Sequence, residues 1–329
     1  MKRFKGNIFA GLISLFLLPI SANFVYAQST TFPFNEFTDS LSYNNASARS
    51  TGLGDADIAD LGHFTSYNLN PALLSFAHNP VSIHLSAYQD WRNNFSHFDL
   101  TLPAFNITNE IRSVIRFSYA YADSYMSSVN PLGRDNEPEP ELNRYQLESG
   151  TSFKISSVFS TGFLQTLSFS NNANAQYWTY AAKAGLFYDP VGSLSYAAVV
   201  SGVGRGTEYR FIEDGTTVLG SYDIPVSFEI GATFTFPEDS KDPNFSLSLS
   251  NQKRFGQEGV WYKGGMEIKV IKFLSLRSGI QFQPDLNYYM PRFGIGYKSN
   301  NISLDYGIAP GTQSKIDGRY HIVGLTINL

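Results

Sequence analysis

Val226-Ser227-Phe228-Glu229-Ile230-Gly231-Ala232-Thr233-Phe234-Thr235-Phe236 decides how the rest of the chain is read. Successive side chains of an extended chain point to opposite sides, so Val226, Phe228, Ile230, Ala232, Phe234 and Phe236 share one face. Ser227, Glu229, Gly231, Thr233 and Thr235 share the other. Unbroken alternation of this length exceeds the roughly 5–6 residues of a usual soluble strand and matches the roughly 9–11 that cross a bilayer at a tilt.

Similar runs extend on both sides of it. Upstream, Val81, Ile83, Leu85 and Ala87 form one such face, Phe98, Leu100 and Leu102 alternate with His97, Asp99 and Thr101, and Ile115, Phe117, Tyr119 and Tyr121 alternate with Arg116, Ser118 and Ala120. Downstream, Phe245, Leu247 and Leu249 alternate with serines, Leu274, Leu276, Ser278, Ile280 and Phe282 oppose Ser275, Arg277, Gly279 and Gln281, and Phe293, Ile295 and Tyr297 oppose Arg292, Gly294 and Gly296. With weaker segments across 150–220 the strand count reaches about 13 or 14, and an even number is the rule for bacterial single-chain barrels. The expectation is an all-β, transmembrane antiparallel barrel of about 14 strands over residues 80–329, preceded by a hatch or plug.

The polar phase separates a barrel from a secreted sandwich of similar composition. Arg116, Glu229, Lys263, Glu267 and Arg277 all fall on it. A sandwich core would have to bury these charges against their desolvation cost, whereas a wet or plugged lumen accepts them. Aromatic residues make up 15% of the chain while its mean hydropathy is -0.17, a mixture that suits walls facing lipid on one side only. With 0 cysteines, a disulfide framework, thiol catalysis and thiolate metal sites are all absent.

The chain opens with Lys2, Arg3 and Lys5, an apolar run from Ile8 to Ile20, and Val25-Tyr26-Ala27 before Gln28. This is the build of a secretory signal over residues 1–27, and its apolar core is short of the roughly 20 residues of a spanning helix. Loss of its three positive charges takes the net charge from -4 to -7. Nothing basic invites nucleic acid. At the other end, Gly324, Ile327 and Leu329 reproduce a Gly-x-x-apolar-x-apolar ending similar to the closing strand read by the outer-membrane barrel-assembly machinery. Leu329 stands where such endings usually carry an aromatic residue.

Residues 28–79 are polar and glycine-rich and lack long alternation. Ala48-Arg49-Ser50-Thr51-Gly52-Leu53-Gly54-Asp55-Ala56 places two glycines where a backbone turns tightly or approaches a neighbour. Asn70-Pro71-Ala72-Leu73-Leu74 has a capping Asn, a proline at the first helical position and good helix formers after it. The segment is therefore read as a plug folded into the lumen rather than an external tail.

These two stretches, spaced as they are and followed by a barrel, resemble the PorV/PorQ family of outer-membrane proteins, which is FadL-like. The resemblance covers residues 46–76, and beyond them only strand pattern, signal and closing strand. It departs from the family at Asn68-Leu69, where a Trp commonly precedes the Asn-Pro-Ala triplet, and at the missing terminal Phe. The resemblance implies a fourteen-strand barrel with an N-terminal hatch, seated or gated through Arg49, Gly52, Gly54, Asp55, Asn70, Pro71 and Ala72. It further implies an accessory or shuttle role in type IX secretion, with secretion components and cargo as partners and outer-membrane lipid around the barrel. FadL relatives instead pass long-chain fatty acids or other hydrophobic molecules, which is the alternative function.

No enzymatic constellation stands out. The five histidines are His63, His78, His84, His97 and His321, and none lies in a nucleophile motif. His84 and His97 fall on polar phases of neighbouring strands, where they could meet near Ser82, Ser86 or Asp99, as lumen histidines, a hydrolase pair or, with Asp99, a metal site. Gly202-Val203-Gly204-Arg205-Gly206 lacks the following helix and Lys-Ser pair of a phosphate loop and reads as a strand-end turn. The acidic, proline-rich stretch between Tyr125 and Asn143 reads as a long outer loop rather than a calcium site. The expectation is a non-enzymatic barrel with no cofactor.

Overall fold

The computed structural model describes residues 47–61, 64–77, 82–90, 95–122, 142–171, 175–213, 216–222, 226–237, 243–256, 258–286, 288–309 and 320–328. The signal segment, residues 28–46, the acidic stretch 123–141 and Leu329 lie outside them.

The strands among these residues are β1 (Ser82–Asp90), β2 (Phe95–Thr101), β3 (Phe105–Asn106), β4 (Ile111–Ala122), β5 (Leu142–Lys154), β6 (Phe159–Asn171), β7 (Ala175–Tyr188) and β8 (Leu194–Glu213). They continue with β9 (Thr216–Tyr222), β10 (Ser227–Phe236), β11 (Phe245–Arg254), β12 (Trp261–Ile271), β13 (Leu274–Gln283), β14 (Tyr288–Lys298), β15 (Ile302–Ala309) and β16 (Tyr320–Asn328).

Every ladder is antiparallel. Followed from β8 through β7, β6, β5, β4, β2, β1, β16, β15, β14, β13, β12, β11 and β10, the pairings lead back to β8, because Ser227↔Ser201 through Phe234↔Leu194 join β10 to it. Fourteen strands therefore have neighbours on both sides, and lipid exposes no bare backbone edge. The short β3 prolongs the β2 side of the wall against β4, and β9 pairs with the far half of β8 as a hairpin beyond the ring. No helix among the described residues is long and apolar enough to cross a bilayer.

The two phases of each strand separate as the alternation requires. On β10, Phe228, Ile230, Phe234 and Phe236 are exposed, while Ser227, Glu229 and Thr233 are buried. The same inversion of a soluble protein's pattern recurs on β13, where Leu276, Ile280 and Phe282 point out and Arg277 and Gln281 point in. Hydrocarbon outside and a filled polar lumen inside explain it.

Gly202-Val203-Gly204-Arg205-Gly206 is not a strand-end turn. It lies inside β8, just past Ser201, where pairing with β10 ends and the register against β7 shifts between Ala182 and Ala184. Gly202 has φ +76°, a left-handed conformation that glycine adopts without a Cβ penalty, and this permits the bulge by which β8 leaves the ring.

The wall has two unlike ends. The short connections 155–158, 189–193, 272–273 and 299–301 lie at the end that also holds Ser82 and Asn328, and β4, β8 and β15 run to the opposite end at Ala122, Glu213 and Ala309.

Candidate functional site, a hatch seated in the lumen

Residues 47–61 and 64–77 occupy the inside of the ring. Ser47 caps a single-turn helix, α1 (Ala48–Gly52), its side chain accepting from the Ser50 backbone N–H. The chain then turns through Gly54 (φ +66°) and Asp55 (φ +54°), and continues through two 3-10 helices, Phe64–Asn68 and Pro71–Phe76. Asn70 begins the second as expected, its Oδ1 accepting from the Ala72 N–H with Pro71 at the first position. The Asn70 amide nitrogen also donates to Ile58 O at 2.9 Å and to Leu186 O on β7 at 3.1 Å, so one residue caps the helix, ties the hatch together and fastens it to the wall.

On the β12–β15 side the seat is ionic. Arg49 meets Asp60 at 2.6 Å and Asp57 at 3.5 Å within the hatch, and Glu267 on β12 at 3.0 Å. Arg277 on β13 reaches the same Glu267 at 2.5 Å and Asp305 on β15 at 2.7 Å. Asp55 pairs with Arg292 on β14 at 3.1 Å and accepts from Gln281 Nε2 at 2.7 Å. Arg49 is held above its ordinary range because Asp60, Glu267 and Asp57 outweigh the opposing effect of its burial, so it stays charged. Burial pushes the Asp57 carboxyl up, with Arg49 only partly offsetting it, and burial likewise pushes the Tyr67 phenol up.

Close backbone approach completes this side. A methyl group at Gly279 or Gly265 of the wall would run into Leu53 and Gly54 backbone atoms, and one at Gly52 would come within 2.9 Å of Gly294 Cα. Glycine on both surfaces lets hatch and wall touch main chain to main chain.

Toward β4–β8 the hatch meets the wall through apolar packing and through hydrogen bonds, among them Lys183 Nζ to Asn68 O and Arg112 Nη1 to Ala77 O at 2.6 Å. Tyr67 and Leu74 pack with Ala104, Val114 of β4 and Leu164 of β6, and Ala72 and Leu73 pack with Phe187 of β7. Phe76 lies 5.2 Å from the Phe187 ring. Backbone atoms of the hatch are still answered by wall polar groups: Ser160 donates to Ala72 O at 2.8 Å and Ser195 to Ala59 O at 2.6 Å. Charges are present on this side too, Arg116 of β4 meeting Glu148 of β5 at 2.6 Å, and further round the wall Lys263 of β12 meets Glu229 of β10 at 3.0 Å.

The structure thus brings Arg49, Gly52, Gly54, Asp55, Asn70, Pro71 and Ala72 together with the lumen wall, and adds Asp57, Asp60, Glu267, Asp305 and Gln281 as partners. For Glu267 and Asp305 the signal is a charge on the inward phase of a strand, near Arg277 on β13; Asp57, Asp60 and Gln281 carry no such signal. Gly324 and Ile327 lie in β16, Gly324 turned inward opposite Ser86 and Asp305, and Ile327 opposite Ile83 and Ile302. His84 and His97 sit on adjacent strands but not opposite each other: His84 pairs with Thr101 and His97 with Tyr88, which puts them roughly 13 Å apart along the strand. His97 Nε2 lies 3.4 Å from Asp99 within its own strand. That spacing brings together neither the hydrolase pair nor the metal trio.

No protein-family model and no curated protein sequence matches the chain. Solved structures do. The chain is similar to the P. putida toluene transporter TodX with a TM-score of 0.60 and 13% identity, covering 86% of this chain and 98% of that one. A Pseudomonas aeruginosa FadL homologue gives 0.56 and 13%, covering 86% and 98%, and the CymD monoaromatic hydrocarbon channel gives 0.57 and 11%, covering 86% and 97%. At these identities the likeness shows a shared fold, that of FadL-like barrels, and it runs the whole length of each neighbour. These neighbours are transport proteins and channels rather than enzymes.

Proposed function

We propose that this chain is an outer-membrane channel that admits hydrophobic small molecules, with the segment through Ala77 as its hatch. The observation that carries the reading is how the hatch is seated: ion pairs hold it to β12–β15, while toward β4–β8 it rests on the apolar side chains of Val114, Leu164 and Phe187, packed against Tyr67, Leu73 and Leu74, and on hydrogen bonds from the wall to its backbone. An apolar solute that enters beside these side chains has no hydrogen bond to water to lose, and the ionic side stays in place. The hydrocarbon transporter and channel named among the structural neighbours support the solute class. Short turns face the periplasm in such barrels, which orients the end holding Ser82 and Asn328 inward.

The test is uptake of labelled toluene and of oleate by proteoliposomes holding the purified protein. Uptake above empty vesicles, abolished when Leu164→Arg places a charge against the hatch, is the expected result. Vesicles that take up neither probe faster than empty ones overturn the reading.

The secretion-accessory reading rests on the resemblance of residues 46–76 to the PorV/PorQ pattern. It expects type IX components and cargo to co-purify with the protein, and cargo to be retained in the periplasm on deletion. Normal cargo release from the deletion strain rejects it.

A further inference from the structure

The outside of the wall is not uniformly apolar. Elsewhere on the ring large apolar side chains such as Ile230, Leu249, Met266 and Phe293 face lipid near the middle of their strands, with the small Ser278 among them on β13. On β5 and β6 the middle presents Ser149 and Gln165 instead, both exposed on the outward phase and directly opposite each other in the ladder. The row continues to Ala182 on β7, which faces Gln165.

This row lies at mid-height in the membrane. Tyr145 and Trp178 project outward on one side of it, and Phe153 and Tyr188 on the other, as two aromatic girdles flank the hydrocarbon layer. A carboxamide there would sit in hydrocarbon with two donors and an acceptor, and neither Ser149 nor Gln165 makes a side-chain hydrogen bond among the described residues. Lipid acyl chains cannot supply partners; another protein surface can.

We infer that the outward face of β5–β7 is the interface of a homodimer, with Gln165 beside a two-fold axis along the membrane normal. A primary amide is its own complement, since two related by a two-fold axis each donate N–H to the other's carbonyl oxygen. An isologous interface requires such self-complementarity. Small Ser149 and Ala182 flank Gln165 in its row, with Leu167 and Tyr180 in the outward row on one side and Phe163 in that on the other, so the walls of two copies can approach closely at this row. Nothing in this argument depends on the transported molecule.

The absence of cysteine makes the test direct, because every introduced thiol is unique. Gln165→Cys, Ser149→Cys and, on the opposite wall, Ile280→Cys are oxidised in native membranes and in proteoliposomes of purified protein. The expected result is a product with the mass of two copies, formed several-fold more by the variants at 165 or 149 than by the one at 280. Gln165→Leu, which suits lipid and leaves the barrel folded, is expected to lower the dimer association constant in nanodiscs about tenfold. Crosslinking at 165 and 149 no greater than at 280, a product containing a different polypeptide, or an unchanged dimer fraction in Gln165→Leu overturns the inference.

Discussion

Arg49 and Glu267 stand 218 residues apart in sequence and meet at 3.0 Å, Arg49 in the hatch and Glu267 on β12. Arg49 is the point at which the hatch is tied electrostatically to itself and to the wall. Truncating one member of a buried ionic cluster leaves the others uncompensated, which costs about 3–5 kcal/mol. Arg49→Ala should therefore unseat the hatch while leaving the barrel intact. Maleimide labelling of a Thr51→Cys reporter, buried in the wild type, measures this as a faster labelling rate at unchanged strand content.

The glycine seats give an independent way to displace the same segment. A Cβ at Gly279 meets main-chain atoms of Leu53 and Gly54 that cannot swing aside. Gly279→Ala should cost about 1–3 kcal/mol by overpacking and speed Thr51→Cys labelling. Gly256→Ala, at a position with open space around it, should leave labelling unchanged, although its φ of +85° imposes a local cost in the loop.

Asp57 sets the direction of the pH response. Its folded-state affinity for a proton is raised by burial above the ordinary 3.8, and its Oδ1 meets no hydrogen-bond partner among the described residues. A folded value above the unfolded one makes the contribution of Asp57 to seating complete below the unfolded value and lost as pH rises through the folded value. Asp57→Asn keeps the shape and removes this titration, so at neutral pH it should seat the hatch at least as firmly as the wild type. Labelling of Thr51→Cys from acid to neutral pH checks both parts. A faster rate in Asp57→Asn at neutral pH would show that the ionised carboxylate is needed.

The lipid face makes a prediction of opposite kind on neighbouring residues. Leu249 on β11 is exposed on the outside, and Ser248 beside it is buried toward the lumen. Leu249→Arg near the bilayer midplane should cost about 2–4 kcal/mol of folding stability in a membrane, measured by reversible unfolding in vesicles. Leu249→Phe should be nearly neutral.

Much of this architecture was readable before any coordinates, for a physical reason. The alternation in Val226–Phe236 is set by which solvent each face meets, and inward charges such as Arg277 and Glu267 exclude a dry core, so strand type, face and closure all follow locally. The cap at Asn70-Pro71 was likewise local chemistry. What was not readable depends on pairing across the ring. His84 and His97 were placed on adjacent strands, but only the register shows them roughly 13 Å apart along the strand. The partners of Arg49 come from strands far along the chain. Inward glycines such as Gly162 and Gly279 recur on the polar phase, but nothing local says that hatch backbone lies against them. Closely spaced glycines at 202–206 suit a turn and a bulge equally well, and only the pairing of β8 with β7 and β10 shows that Gly202 serves a bulge within a long strand.

The central claim is that Ser227–Phe236 and its counterparts separate hydrocarbon from a filled lumen. Spin labels placed one at a time at positions 227–236 in the bilayer-reconstituted protein test it most directly, by comparing collision with oxygen against collision with a water-soluble nickel chelate. The account predicts strong oxygen contact at positions 228, 230, 232 and 234, and little contact with either reagent at 229, 231 and 233, where the lumen is packed. Nickel contact at 230 and 234 equal to that of a water-exposed loop would contradict it.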